Sequence, residues 1–192
     1  MSGGYSLLEL MMTMGLSVSM GAAAVPQFLN ALDETRVSGA ARHISGRLQR
    51  ARMEAVTRSA AVGVQFTQTT DGYRYTVYLD GNGNGILSRD IQRGVDRAIA
   101  AMERLGDQFP GVEFGALPGL PPVDSGGTAP GSDPIRLGSG NIASFSSLGT
   151  SSSGTVYVRS RRDAQYAVRI FGETGKTRIL KFDSRTRQWR QL

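Results

Sequence analysis

The 192-residue chain has no cysteine, one histidine and one tryptophan. Without thiols it can form neither a disulfide framework nor a thiolate metal site, so packing has to supply its stability. One histidine allows no His dyad, and no serine motif with a base accompanies it, so an enzyme is not expected. Acidic side chains are scarce at one end: Lys and Arg outnumber Asp and Glu 10 to 3 from Arg159 onward and are outnumbered 12 to 13 before it. The formal charge of +6 therefore belongs to the last 34 residues. With 40% apolar and 20% charged residues, the composition suits one globular domain plus an appendage.

Lys, Arg, Asn, Gln and Pro are all missing from residues 5–25, YSLLELMMTMGLSVSMGAAAV. At about 1.5 Å per residue, a helix of that length crosses the ~30 Å hydrocarbon core of a bilayer. A cleaved secretory signal would carry a basic start, a shorter apolar run and a small-residue cleavage site. Ala22-Ala23-Ala24 imitates such a site, but residues 1–4 have no basic side chain. Glu9 interrupts the run. A carboxylate at a helix centre costs roughly 2.5–3.5 kcal/mol on insertion scales, so it either sits shallow or finds a cation.

Gly4 followed by Tyr5-Ser6-Leu7-Leu8-Glu9-Leu10 resembles the class III signal of type IV pilins and type II secretion pseudopilins. The resemblance implies that a prepilin peptidase cuts after Gly4 and methylates Tyr5 as the new N-terminus. Glu9 becomes the fifth mature residue and Pro26 the twenty-second, where many members have a proline that kinks the helix. Glu9 would then neutralise the α-ammonium of Tyr5 during assembly. The leader, residues 1–4, departs from the family in lacking Lys or Arg, so either a minimal leader suffices or the true start lies upstream.

After Pro26, the positions Val37, Ala41, Ile44, Leu48, Ala51 and Ala55 recur at spacings of three and four, one helical stripe. Arg42, Arg50, Glu54 and Arg58 lie opposite, with i,i+4 neighbours from Arg50 to Glu54 and from Glu54 to Arg58. His43 sits beside the stripe as a surface or packing residue. Leu48 to Val56, with Ala61 to Phe66, is similar to the helix-to-strand junction of the GspH/FimT branch of pseudopilins. So are Phe145 to Thr150, Gly154 to Val158 and Gly175-Lys176-Thr177-Arg178, with Ser147 and Lys176 replacing the branch's usual proline and arginine.

Alternation predicts strands at Val62–Phe66, Gly72–Leu79, Thr155–Arg159, Tyr166–Ile170 and Arg178–Phe182. Residues 106–140, dense in Gly, Pro, Ser and Asp, are expected as a mobile or functional loop outside the core. The expected fold is α+β and pilin-like, a long N-terminal helix packed on an antiparallel β head. Its parts are a leader (1–4), a transmembrane and assembly helix (5–25), an amphipathic continuation (26–60) and a periplasmic head (61–192).

Two loops imitate ligand motifs. Asp80, Asn82 and Asn84 with Gly85 match the start of a calcium loop, and Asp90 falls at position 11, but position 12 is Ile91, where an EF-hand needs Glu. Asn-Gly repeats also make metal-free turns. Calcium is thus a weak candidate cofactor. Gly172 to Thr177 ends like a phosphate-binding loop, yet Ile170 stands where its first glycine belongs. Among the basic residues, the resemblance makes Lys176 and Arg178 candidate DNA contacts, and Arg185, Arg187 and Arg190 extend the run. A solvated basic β surface, or one docking an acidic neighbouring subunit, is the alternative.

The resemblance implies a minor pseudopilin of type II secretion, single-pass in the inner membrane with its head in the periplasm. Its partners would be other pseudopilins through the N-terminal helix, the prepilin peptidase, the inner-membrane assembly platform and inner-membrane lipid. A FimT-like minor pilin that binds DNA for natural transformation is the second reading. A periplasmic protein with a cleaved signal is the third.

Overall fold

The computed structural model describes residue 4, residues 6–138 and residues 140–192. Residues 1–3, part of the expected leader, lie outside it, as does Tyr5. One helix, α1, runs unbroken from Leu7 to Arg58. Ser6 caps it, its hydroxyl accepting from the Glu9 N–H at 3.2 Å. Ser59, left-handed at φ 50°, ends it, and the Ala60 N–H returns to the Ala55 carbonyl. Pro26 lies inside the helix. Its missing N–H leaves the Ala22 carbonyl without the usual i−4 donor.

The rest of the chain is two antiparallel sheets. The first comprises β1 (Val62–Thr69), β2 (Gly72–Leu79), β3 (Arg97–Ala98), β4 (Glu103–Arg104) and β7 (Ile142–Phe145), in the order β3-β2-β1-β7 with β4 also on β2. The second orders β11 (Gln188–Gln191), β10 (Thr177–Asp183), β9 (Gln165–Ile170), β8 (Gly154–Ser160) and β5 (Val112–Phe114), with β6 (Ile135–Arg136) beside β8. Two short helices, α2 (Ser88–Gln92) and α3 (Leu105–Gln108), lie in the connections. This is the α+β, pilin-like arrangement the sequence predicts.

The predicted stripe is the spine of the core. Val37, Ala41, Ile44, Leu48, Ala51 and Ala55 are all buried and join Val62, Phe66, Tyr75, Phe145, Val156 and Val168 from both sheets. Small residues at 41, 51 and 55 let both sheets approach the helix axis. On the opposite face Glu54 pairs with Arg58 at 2.7 Å. Arg50 makes no ion pair among the described residues.

The expectation for residues 106–140 needs correction. Val112, Phe114, Ile135 and Leu137 belong to the main core, and Leu120, packed with Ala116, Leu117 and Val123, forms a second cluster on the outer face of β8 and β9. Tyr157, Ala167, Phe182 and Trp189 complete that cluster. The segment is therefore a strap over the second sheet. Its strands β5 and β6 have three and two residues, too few for a period-two pattern to register.

Candidate assembly interface

From Leu7 to Leu32 the helix has almost no contact with the head. Thirteen large apolar side chains there, among them Leu7, Leu8, Met11, Met14, Val18, Val25 and Phe28, are exposed. Leaving them in water forgoes on the order of 20 kcal/mol of burial, more than the 5–15 kcal/mol by which a typical domain is stable. The helix holds a window of mean hydropathy 1.5, none of it buried, long and apolar enough to cross a membrane. Its hydroxyls are satisfied internally: Thr13 donates to the Leu10 carbonyl, Ser17 to Thr13 and Ser19 to Leu16, at 2.7–2.9 Å. Such internal pairing suits a segment surrounded by lipid.

Gly4 is exposed at the start of this segment, and Glu9 is exposed in its first turn. Ser6 and Glu9 occupy N-cap and N3, the spacing of a capping box. A carboxylate there also faces the positive end of the helix dipole. The position thus has a local rationale besides the α-ammonium of Tyr5, which falls outside the described residues.

Contact with the head begins at Asn30, whose side-chain oxygen accepts from Arg162 at 3.0 Å. One turn on, Glu34 binds the Tyr166 hydroxyl and pairs with Lys181 at 2.7 Å. Burial first, then Glu34, pushes the Tyr166 hydroxyl well above its usual range. It remains a donor that pins β9 to the helix. Farther along, His43 Nε2 lies 3.0 Å from the Tyr75 hydroxyl, which donates to Glu103 at 2.9 Å, and Glu103 pairs with Arg47. Burial, then Arg47 and Arg50, holds His43 below its usual pKa. Glu103 is 3.8 Å from the imidazole but already compensated by Arg47, so it does not rescue the imidazolium. Among the described residues, no group of three His, Cys, Asp or Glu could hold a metal.

Three stretches singled out in the sequence meet in space. Arg52 Nε donates to the Gly149 carbonyl at 2.9 Å, and Gln49 donates to the Gly175 carbonyl at 3.1 Å. Ser45 and Thr177 share a 2.6 Å hydrogen bond. A Cβ on Gly175 would lie 2.4 Å from the Gly149 oxygen and 2.8 Å from Arg52 Cδ, and φ is +61°. The helix, the 145–150 loop and the β9–β10 turn therefore form one clamp, in which Gly175 is a packing residue.

The five candidate DNA contacts fall in two groups along the β10–β11 hairpin. Lys176 and Arg178 are exposed at the clamp end of β10, with Arg178 4.9 Å over the Phe171 ring. Arg185 and Arg187 follow the other end of β10, a separation of about 20 Å along a strand rising ~3.3 Å per residue. Arg187 donates to the Gly119 carbonyl at 3.1 Å, and Arg190 pairs with Asp183 at 3.0 Å. No described carboxylate pairs with Lys176, Arg178 or Arg185.

The calcium candidates fold around themselves. Asp80 accepts from the N–H groups of Asn82, Gly83 and Gly85 at 2.7–3.0 Å, and Asn84 presents its amide N–H to Asp90 at 3.0 Å. Burial opposes ionisation of Asp80, but these amides more than offset it and hold the carboxyl below its usual range. Asp96, unremarked in the sequence, is buried and accepts from Gly81 and Leu87 at the loop's base. The oxygens thus cap a turn.

A membrane-length apolar helix that continues as the buried spine of an antiparallel β head defines the pilin-like class of proteins. Within it the chain belongs to the GspH family: the family described as "Type II transport protein GspH" matches residues 40–174. At that level it is a type II secretion pseudopilin, of a structural family that associates with other pseudopilins. The matched span covers most of the buried half of α1 and the 145–150 loop of the clamp, and excludes Gly4 to Glu9 and the clamp's Gly175 and Thr177. Comparisons with curated proteins and with solved structures give no match.

Proposed function

We propose that the chain is a structural minor pseudopilin, held in the inner membrane and extracted into a periplasmic pseudopilus that drives protein export across the outer membrane. One observation carries the reading: a bare apolar helix of membrane length joined without a break to a GspH-family head. In lipid the exposed side chains are solvated. In a filament they pack against helices of neighbouring subunits, where close van der Waals contact replaces lipid. Glu9 pairs with the α-ammonium of a cleaved, methylated Tyr5, its own or a neighbour's, and fixes axial register. Prepilin peptidase cleavage after Gly4, the assembly platform as partner and a periplasmic head belong to the same reading.

Mass spectrometry of the mature N-terminus, with membrane fractionation, tests it. Methylated Tyr5 in the membrane fraction is expected, and a soluble product beginning near Val25 would replace the reading with a cleaved signal. A second reading, DNA capture by a minor pilin, is favoured only by the exposed, carboxylate-free Lys176 and Arg178.

A further inference from the structure

Beneath the strap, where Pro122 to Thr128 overlies β8 and β9, lies a cavity of about 220 Å³ that the assembly reading does not use. Arg136, Arg169, Tyr157, Asp124, Ser153 and Thr128 line it. Tyr157 is buried, with 2% of the residue exposed, and its hydroxyl makes no hydrogen bond among the described residues but keeps some contact with solvent. Burial pushes that hydroxyl's pKa up, and its charged neighbours are Arg136, Arg169 and Asp124. It is therefore a protonated donor beside two guanidinium groups. Arg169 spends one terminal nitrogen on Asp124 at 2.6 Å, while its Nε–H is buried without a partner. Arg136 spends Nη1 on the Ala129 carbonyl at 3.0 Å, leaving its other donors.

An unpaired buried donor is costly, and the Arg169 Nε–H, together with the unbonded Tyr157 hydroxyl beside the same cavity, marks a place that an acceptor would fill. Two cations against one carboxylate leave the lining net positive. The volume is below the ~300–1,000 Å³ of pockets for drug-sized molecules but ample for one small anion. We infer that this cavity is a binding site for a small oxyanion, with the Tyr157 hydroxyl and the Arg136 and Arg169 guanidinium groups as its donors. Inorganic phosphate and a carboxylate both offer this chemistry.

Isothermal titration of the full-length protein in detergent micelles, with sodium phosphate in one arm and sodium acetate in the other at fixed ionic strength, tests the site. Saturable one-site binding of at least one anion is expected, and the arm that saturates identifies the source. Tyr157→Phe keeps the ring and removes the donor, and Arg136→Gln removes one charge. Each is expected to weaken binding by about tenfold, as loss of a hydrogen bond to a charged group does. Near-UV circular dichroism verifies the fold, and Tyr157→Phe decides alone if Arg136→Gln does not fold. No saturable binding in either arm, or affinity unchanged in the folded variants, overturns the inference. Because the site lies on the head, this result is independent of Tyr5 processing.

Discussion

At Glu9 one carboxylate serves two ends: it follows Ser6 as a helix N3 residue and stands within the first turn of a segment otherwise apolar. Glu9→Ala is expected to leave membrane insertion intact and to reduce pseudopilus assembly, scored by cross-linking of neighbouring subunits; undiminished cross-linking would reject the pairing role. Gly175 lies where no Cβ fits, so Gly175→Ala should cost about 2–4 kcal/mol, combining overpacking with a strained left-handed φ, and lower the unfolding midpoint. His43 gives a pH signature. Its folded pKa is lowered, so its contribution is complete above about 6.5 and is lost as pH falls from there toward the folded value. Denaturation between pH 7 and pH 5 should therefore show stability falling, and His43→Gln should flatten that limb. Asp80 acts in the same direction lower down: its contribution is complete above about 3.9 and disappears as pH falls through the depressed folded value.

At the scale of elements, α1 divides by environment rather than by geometry. Its first half is apolar on all sides and touches almost nothing, whereas its second half buries one stripe and solvates the other. Period and composition alone distinguish the halves, so both were legible in the sequence. The strap was not. Its apolar residues Leu117, Leu120 and Val123 are separated by Gly and Pro, with no period to count, and they acquire meaning only against Tyr157 and Trp189 across the sheet. Leu120→Ala should cost about 2–4 kcal/mol. Trp189 is the only tryptophan, its indole N–H donates to the Pro121 carbonyl at 3.0 Å, and its ring lies 5.9 Å from that of Tyr157. A red shift of its emission in Leu120→Ala, without loss of β circular dichroism, would report the strap lifting; an unshifted spectrum would show that the strap holds by other contacts.

For the molecule as a whole, charge and assembly separate. The basic C-terminal run is spread along β10 and partly spent on Asp183 and the Gly119 carbonyl. The pseudopilin reading therefore expects only weak DNA binding by fluorescence anisotropy, vanishing as salt rises to physiological strength. Tight binding at that salt, lost in Lys176→Ala with Arg178→Ala, would favour the DNA reading. The sequence by itself determined the membrane-length helix, the buried stripe, five of the strands and the turn-forming character of 80–85. Each follows from neighbours within a few residues, where helical or strand periodicity and turn chemistry act. Only the tertiary structure decided that Arg52, Gly149 and Gly175 form one clamp, that Glu34 and Glu103 neutralise cations far along the chain, and that residues 106–140 cover a sheet. Those contacts join positions tens to more than a hundred residues apart, and no local pattern specifies which distant partner will satisfy a given charge or cover a given apolar face.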